Sequence, residues 1–143
     1  MELKILSFGG ESFAHKDIVS ITLMTALGEI TVLEWHAPLL TSVKPSTMYI
    51  IFKDKNNLDR RDDFAIGAGI VEVRNSKIKI MADMLVDIED LDADQARRAK
   101  DEALKLMEKY KDSKDRIDME KFIEAEDQLL KSIAQLKLYD IKK

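Results

Sequence analysis

The sequence predicts an α+β protein: an N-terminal antiparallel β-sandwich followed by a C-terminal two-helix antiparallel hairpin. Three observations carry this. Residues 2 to 86 run as short apolar alternations separated by turn residues, which is the strand signature. All five glycines and both prolines lie before residue 70. Beyond about residue 90 nothing breaks a helix, and apolar residues recur at spacings of three and four. The expected units are residues 1–87 for the sandwich and 88–143 for the hairpin.

In chain order, the strand candidates are "LKIL", "VSITLM", "EITVL", "MYIIF", "DFAI", "GIVEV" and "KIKIMA". Their Val, Ile, Thr and Phe suit a pleated, half-buried surface. Breaks fall at Gly9-Gly10, Gly28, Asn56-Asn57 and Asn75-Ser76, residues that tolerate turn backbone. Closely spaced strands with no helix between them predict an antiparallel sandwich or barrel. The first helix follows "VDIEDLD", with Asp90 or Asp92 as its cap and acids in its first turn to complement the helix dipole. Its apolar face is narrow and mostly small: Ala96, Ala99, Ala103, Met107 and Tyr110. After the polar "KDSKDRID", a second helix presents Phe122, Ala125, Leu129, Ile133 and Leu136. Small residues on one helix admit large ones from the other, so the pair reads as a hairpin that buries little by itself.

Composition narrows the function. Twenty-three basic and 27 acidic residues give a net charge of -4, so no broad electrostatic footprint favours nucleic acid. No cysteine is present, which excludes thiolate metal sites and cysteine nucleophiles. The two histidines, His15 and His36, lack ligand spacing, and no metal is expected. "GAGIVEV" has Glu72 where a dinucleotide fingerprint needs its third glycine, so Gly67 and Gly69 read as a bulge or a close sheet approach. There is no phosphate-binding loop and no nucleophile elbow, and Asp17, Glu29 and Glu34 read as solvated acids flanking strands. No apolar run approaches the ~20 residues that span a bilayer, so a cytoplasmic or peripheral protein without membrane insertion is expected.

The segment "GEITVLEWHAPLLTSVKP" joins a strand to a loop stiffened by Pro38 that carries Trp35, His36, Leu39 and Leu40. With the residues before it, "VSITLMTALGEITVLEWHAPLLTSVKP" resembles the ATP synthase epsilon subunit family, where a strand, a glycine turn and a "HAPLLT" loop follow one another. "FAIGAGIVEVRNSKIKIMAD", "LDADQARRAK" and "SIAQLK" extend the resemblance over nearly the whole chain.

The resemblance implies a non-catalytic central-stalk subunit of a rotary F-type ATP synthase, peripheral at the cytoplasmic face of a bacterial cell membrane. It would couple the c ring to the gamma subunit during proton-driven synthesis. The implied partner-binding residues are Glu29, Trp35, His36, Pro38, Leu39 and Leu40, with His36 a contact residue and not a base. The hairpin would fold against the sandwich or extend toward the alpha and beta subunits, where it would inhibit ATP hydrolysis. Some family members bind ATP at the start of the first helix; the matching positions are Asp92, Gln95 and Ala96. Gln95 stands where arginine is expected, which removes a bidentate phosphate donor. Nucleotide binding is therefore expected to be weak or absent, and no cofactor is assigned. Met24, Ser46 and Ala68 are milder departures from the pattern. The alternative is a free-standing adaptor that binds soluble partners through sandwich and hairpin.

Overall fold

The computed structural model describes residues 1–142. Ten strands come first: β1 (Glu2–Ser7), β2 (Ser12–His15), β3 (Ile18–Thr25), β4 (Gly28–Leu33), β5 (Leu39–Val43), β6 (Ser46–Lys53), β7 (Asp59–Ile66), β8 (Gly69–Arg74), β9 (Lys77–Ala82) and β10 (Leu85–Asp87). A 3-10 turn (Ile88–Asp90) leads into α1 (Ala93–Tyr110) and α2 (Arg116–Lys142).

Alternation does what the pattern promised. In β9 every second residue is buried, Ile78, Ile80 and Ala82, while Lys77, Lys79 and Met81 face outward. The turns fall where the sequence marks them. Asn75 and Ser76 take φ values of 51° and 61°, the pairing of positive angles that closes a tight hairpin with the strands' own twist. Asn57 takes φ 60°, and the Asp54 carboxylate accepts from the Asn56 and Leu58 amides to hold that turn.

Pairing follows one path, β10-β7-β6-β3-β5-β8-β9-β1-β2, with β4 added to β3. The join between β3 and β5 is a single bridge, Thr25 to Val43, so the sheet bends there into two five-stranded layers. Between them lies one core, including Leu3, Ile5, Ile21, Val32, Ile50, Phe64, Val71 and Ile80. All of its fully buried members fall between residues 3 and 85, so the sandwich has a core of its own. One pair departs from the antiparallel expectation: β1 runs parallel to β9, from Glu2 opposite Lys77 to Ser7 opposite Ala82. Alternation is the same for both directions, and strand direction is not written in it.

Gly69 has a steric reason. A Cβ there would lie 1.9 Å from the Met81 carbonyl oxygen, so the close sheet approach expected of this glycine is present.

Asp92 caps α1, accepting from the Gln95 amide at 3.1 Å, and Asp115 starts α2 by accepting from the Ile117 amide. Ala96 and Ala103 are buried in α1 and Ala125 in α2, with Phe122, Leu129, Ile133 and Leu136 half-buried. Helix α2 also has a second apolar patch that the sequence reading did not separate from the first. Ala134 and Leu138, one helical turn apart, pack with Ala65 of β7 and with Met84, Val86, Ile88 and Leu91. Lys131 adds ion pairs to Asp83 at 2.9 Å and to Asp127 at 3.0 Å. The Gln135 amide lies 3.2 Å from the Met84 sulfur. The hairpin therefore rests on the outer face of β6 and β7, with Val86 of β10 at its edge.

Candidate partner-binding surface

Strand β4 leaves the Gly28 turn with φ 104° and carries Glu29 outward. Where the strand ends, the Leu33 carbonyl accepts from the His36 amide at 3.1 Å, which closes a tight turn. That turn forces Trp35 to φ 68°, a left-handed backbone that costs a large side chain roughly 1 kcal/mol or more. The indole obtains no packing in return, since Trp35 is 87% exposed. A strained backbone that holds an aromatic ring out in water is the strongest single sign of a contact residue in this chain.

His36 folds back onto its own loop, its Nδ1 lying 2.6 Å from the Ala37 carbonyl oxygen, a distance that requires Nδ1–H to donate. That bond holds the loop. His15 is the last residue of β2, its ring against Phe52 and its Nδ1 accepting from the Asp17 amide of the turn that follows. The two imidazoles thus serve different turns.

The sequence puts Leu39 and Leu40 in one apolar patch, and β5 separates them. Leu39 packs against the core, while Leu40, its neighbour on the pleat, is 70% exposed. Pro38, Leu39 and Leu40 line one side of a groove of about 520 Å³ whose other side is Glu72, Val73, Arg74 and Asn75. Trp35, His36, Pro38, Asn75 and Ser76 line a second hollow that shares Pro38 and Asn75 with it.

The sheet register adds residues that motif reading missed. Ile70 of β8 lies opposite Met81 of β9, which lies beside Leu6 of β1, so an apolar row crosses the outer face from Ser42 of β5, two residues along the strand from Leu40. Ile70 is 55% exposed, and Phe8 continues the row past the end of β1. The signal was present: in "GIVEVR" Ile70 alternates against the buried Val71 and Val73 and so had to face out.

Of the acids considered, Glu34 is held by the N-terminal ammonium at 2.8 Å, with Ser76 also bonded to it. These bonds keep its carboxyl below the usual glutamate range. Its role is to anchor, and Glu29 is simply exposed.

The nucleotide positions are Asp92, occupied in capping α1; Gln95, exposed; and Ala96, buried against the hairpin. Arg97 is engaged by Asp94 at 2.8 Å and lies over the Tyr139 ring. Among the described residues no group of three or more His, Cys, Asp or Glu is placed to hold a metal ion. No helix among them is long and apolar enough to cross a membrane.

Residues 1–88 match the family described as ATP synthase, Delta/Epsilon chain, beta-sandwich domain. An ATP synthase epsilon chain from Xanthomonas campestris pv. campestris (strain B100) is 33% identical over 110 residues, 77% of this chain and 71% of that protein. One from Stenotrophomonas maltophilia (strain K279a) is 35% identical over 81 residues, 57% of this chain and 55% of that one. The match thus spans little more than half of that relative's length. Among solved structures, a chain of the Euglena gracilis mitochondrial ATP synthase (OSCP/F1/c-ring, rotational state 1) superposes with TM-score 0.72 at 20% identity. It covers 99% of this chain and 80% of its own, a likeness of fold alone.

Proposed function

This chain belongs to the delta/epsilon chain family of ATP synthase, and from that premise we propose that it is a non-catalytic central-stalk subunit of an F-type ATP synthase. In this reading it couples a c ring to a gamma subunit during proton-driven synthesis and is peripheral to the membrane, on the cytoplasmic face of a bacterial cell. The observation that carries the reading is the set of exposed apolar residues on one region of the sandwich, Trp35 on its stiff loop, Leu40 on β5, and the Ile70–Met81 row on the sheet. Gamma covers that surface, and Glu29, His36 and Pro38 lie at its margin toward the c ring. Rigid aromatic and aliphatic anchors lose little entropy on binding, which suits a joint that transmits torque.

The hairpin is the regulatory part of the proposal. Docked, as described here, it lies on β6 and β7; extended, it reaches alpha and beta and brakes ATP hydrolysis. The docking patch is small, so the two arrangements lie within a few kcal/mol of each other, as a switch requires.

The test is ATP hydrolysis by a reconstituted alpha, beta, gamma assembly with no addition, with the full chain, or with residues 1–87. Severalfold inhibition by the full chain alone is expected. Tight gamma binding without inhibition by either form would remove the brake and leave a coupling subunit. No binding to gamma would end the whole reading.

Trp35→Asn is expected to weaken gamma binding about tenfold, near 1.4 kcal/mol, by removing a central aromatic anchor. Asparagine accepts the left-handed backbone, so the melting temperature should hold or rise slightly. Calorimetric titration and a thermal melt on the same sample separate the two effects. A parallel loss of both would reduce Trp35 to a structural residue.

A further inference from the structure

We infer that Asp62 and Asp87 form a proton-operated catch at the root of the hairpin, which holds β10 to β7 when the pair shares a proton and loosens it when both are ionised. The inference goes beyond the rotor reading and stands without it. Asp87 is the last residue of β10 and pairs with Phe64 of β7. Asp62 lies two residues before Phe64, on the same face of that ladder, which sets its carboxyl diagonally across from Asp87. The chain leaves the sandwich at this point, and Asp87 also accepts from the Glu89 amide at 3.1 Å to start the 3-10 turn. Strand pairing, turn and carboxyl pair thus meet at one residue.

The surrounding charges offer the pair no relief. Asp63, the next acid on β7, takes both contacts of the neighbouring guanidinium, from Arg61 Nε at 2.9 Å and Nη2 at 2.8 Å. Ile50 stands opposite Asp62 on β6 and brings no charge. Glu89 of the turn and Lys142 of α2 line the groove beside Arg61 and Asp63. Among the described residues neither Asp62 nor Asp87 forms an ion pair with a basic side chain.

Burial first, then the hydrogen bond and charge of Asp87, push the Asp62 carboxyl up to about 7. An acid whose folded value is raised destabilises the fold once the unfolded chain ionises. Stability at this joint is therefore full below the ordinary aspartate value, falls as pH climbs toward 7, and is level above it. In the shared state one carboxyl O–H donates to the other's carboxylate; in the open state two like charges face each other at the base of the helices.

The measurement is amide hydrogen exchange at residues 85–89 of the full chain, corrected for the intrinsic rate, at pH 5 and pH 8. Protection is expected to fall about tenfold in the wild type, the full effect being screened by water at a partly open site, and by less than twofold in Asp62→Asn. Equal protection at the two pH values, or the same fall in Asp62→Asn, would overturn the catch. A carbon-13 titration of the Asp62 carboxyl in the unaltered chain is an independent check should the variant fold poorly. A midpoint near 7 upholds the pair, and one in the ordinary aspartate range refutes it.

Discussion

Replacing Leu138 with aspartate is expected to release the hairpin from the sandwich while leaving the sandwich folded. Leu138 is fully buried and is the largest side chain from α2 in the docking patch, where Ala65, Met84, Val86, Ile88 and Leu91 surround it. Removing it forfeits about 2 kcal/mol of apolar burial. A carboxylate in its place adds several kcal/mol more, because the patch offers it no cation. Among the other attachments, the Lys131–Asp83 pair and the Gln135–Met84 contact are partly exposed and worth about 1 kcal/mol or less each. Docking should therefore be lost, while the sandwich core, formed wholly by residues before the helices, is untouched. The native chain has no cysteine, so Ala65→Cys makes a clean reporter beneath Leu138. Alkylation of that thiol should be slow in the otherwise native chain and at least tenfold faster with Leu138→Asp. Equally slow alkylation would mean that the hairpin is held by something other than this patch.

Gly69→Val should be the most damaging single change within the sandwich. The new Cβ would meet the Met81 carbonyl oxygen at 1.9 Å and the Ala82 Cα at 2.7 Å, both of them backbone, so no rotamer relieves the clash. The ladder must part where β8 starts and β9 ends, and Val43 and Ala82, both paired to Gly69, shift with it. Overpacking of this kind costs about 3 kcal/mol or more, a fall of roughly 10 °C or more in Tm for a chain of this size. A circular-dichroism melt decides it. A Tm within 2 °C of the wild type would show that the β8–β9 spacing has slack that the structure does not display.

The sandwich was legible because its signals are local. Alternation in "KIKIMA" and "GIVEV" and the paired turn residues Asn75 and Ser76 each act over a few residues. Three strands escaped for related reasons. β2 has only Phe13 facing the core, β10 is three residues long, and β5 lies inside a stretch that Pro38 makes look like loop. On the candidate surface the loop residues Trp35, His36 and Pro38 stood out by type. Ile70 and Met81 did not, because they become neighbours only through the β8–β9 register. The division of labour between Leu39 and Leu40 needed β5 to be known as a strand. The second face of α2 was hidden because Ala134 and Leu138 sit among the hairpin's own apolar residues, and only the outer surface of β7 distinguishes them.

The parallel pairing of β1 with β9 also bears on how the molecule is made. As the chain is synthesised, Leu3 and Ile5 emerge first, yet their neighbours across the ladder, Ile78 and Ile80, emerge only with the second-to-last strand of the sandwich. The short hairpin with β2 can pair one edge of β1 early, while its other edge stays unmatched until β9 arrives. Closing so long a loop is slow, and an unpaired apolar edge is where nascent chains stick to one another. Newly made chains of this protein therefore pass through a stage, ending only with β9, in which premature termination or slow elongation exposes an adhesive strand. A fragment ending before Lys77 should accordingly accumulate as aggregate, not as a smaller soluble domain.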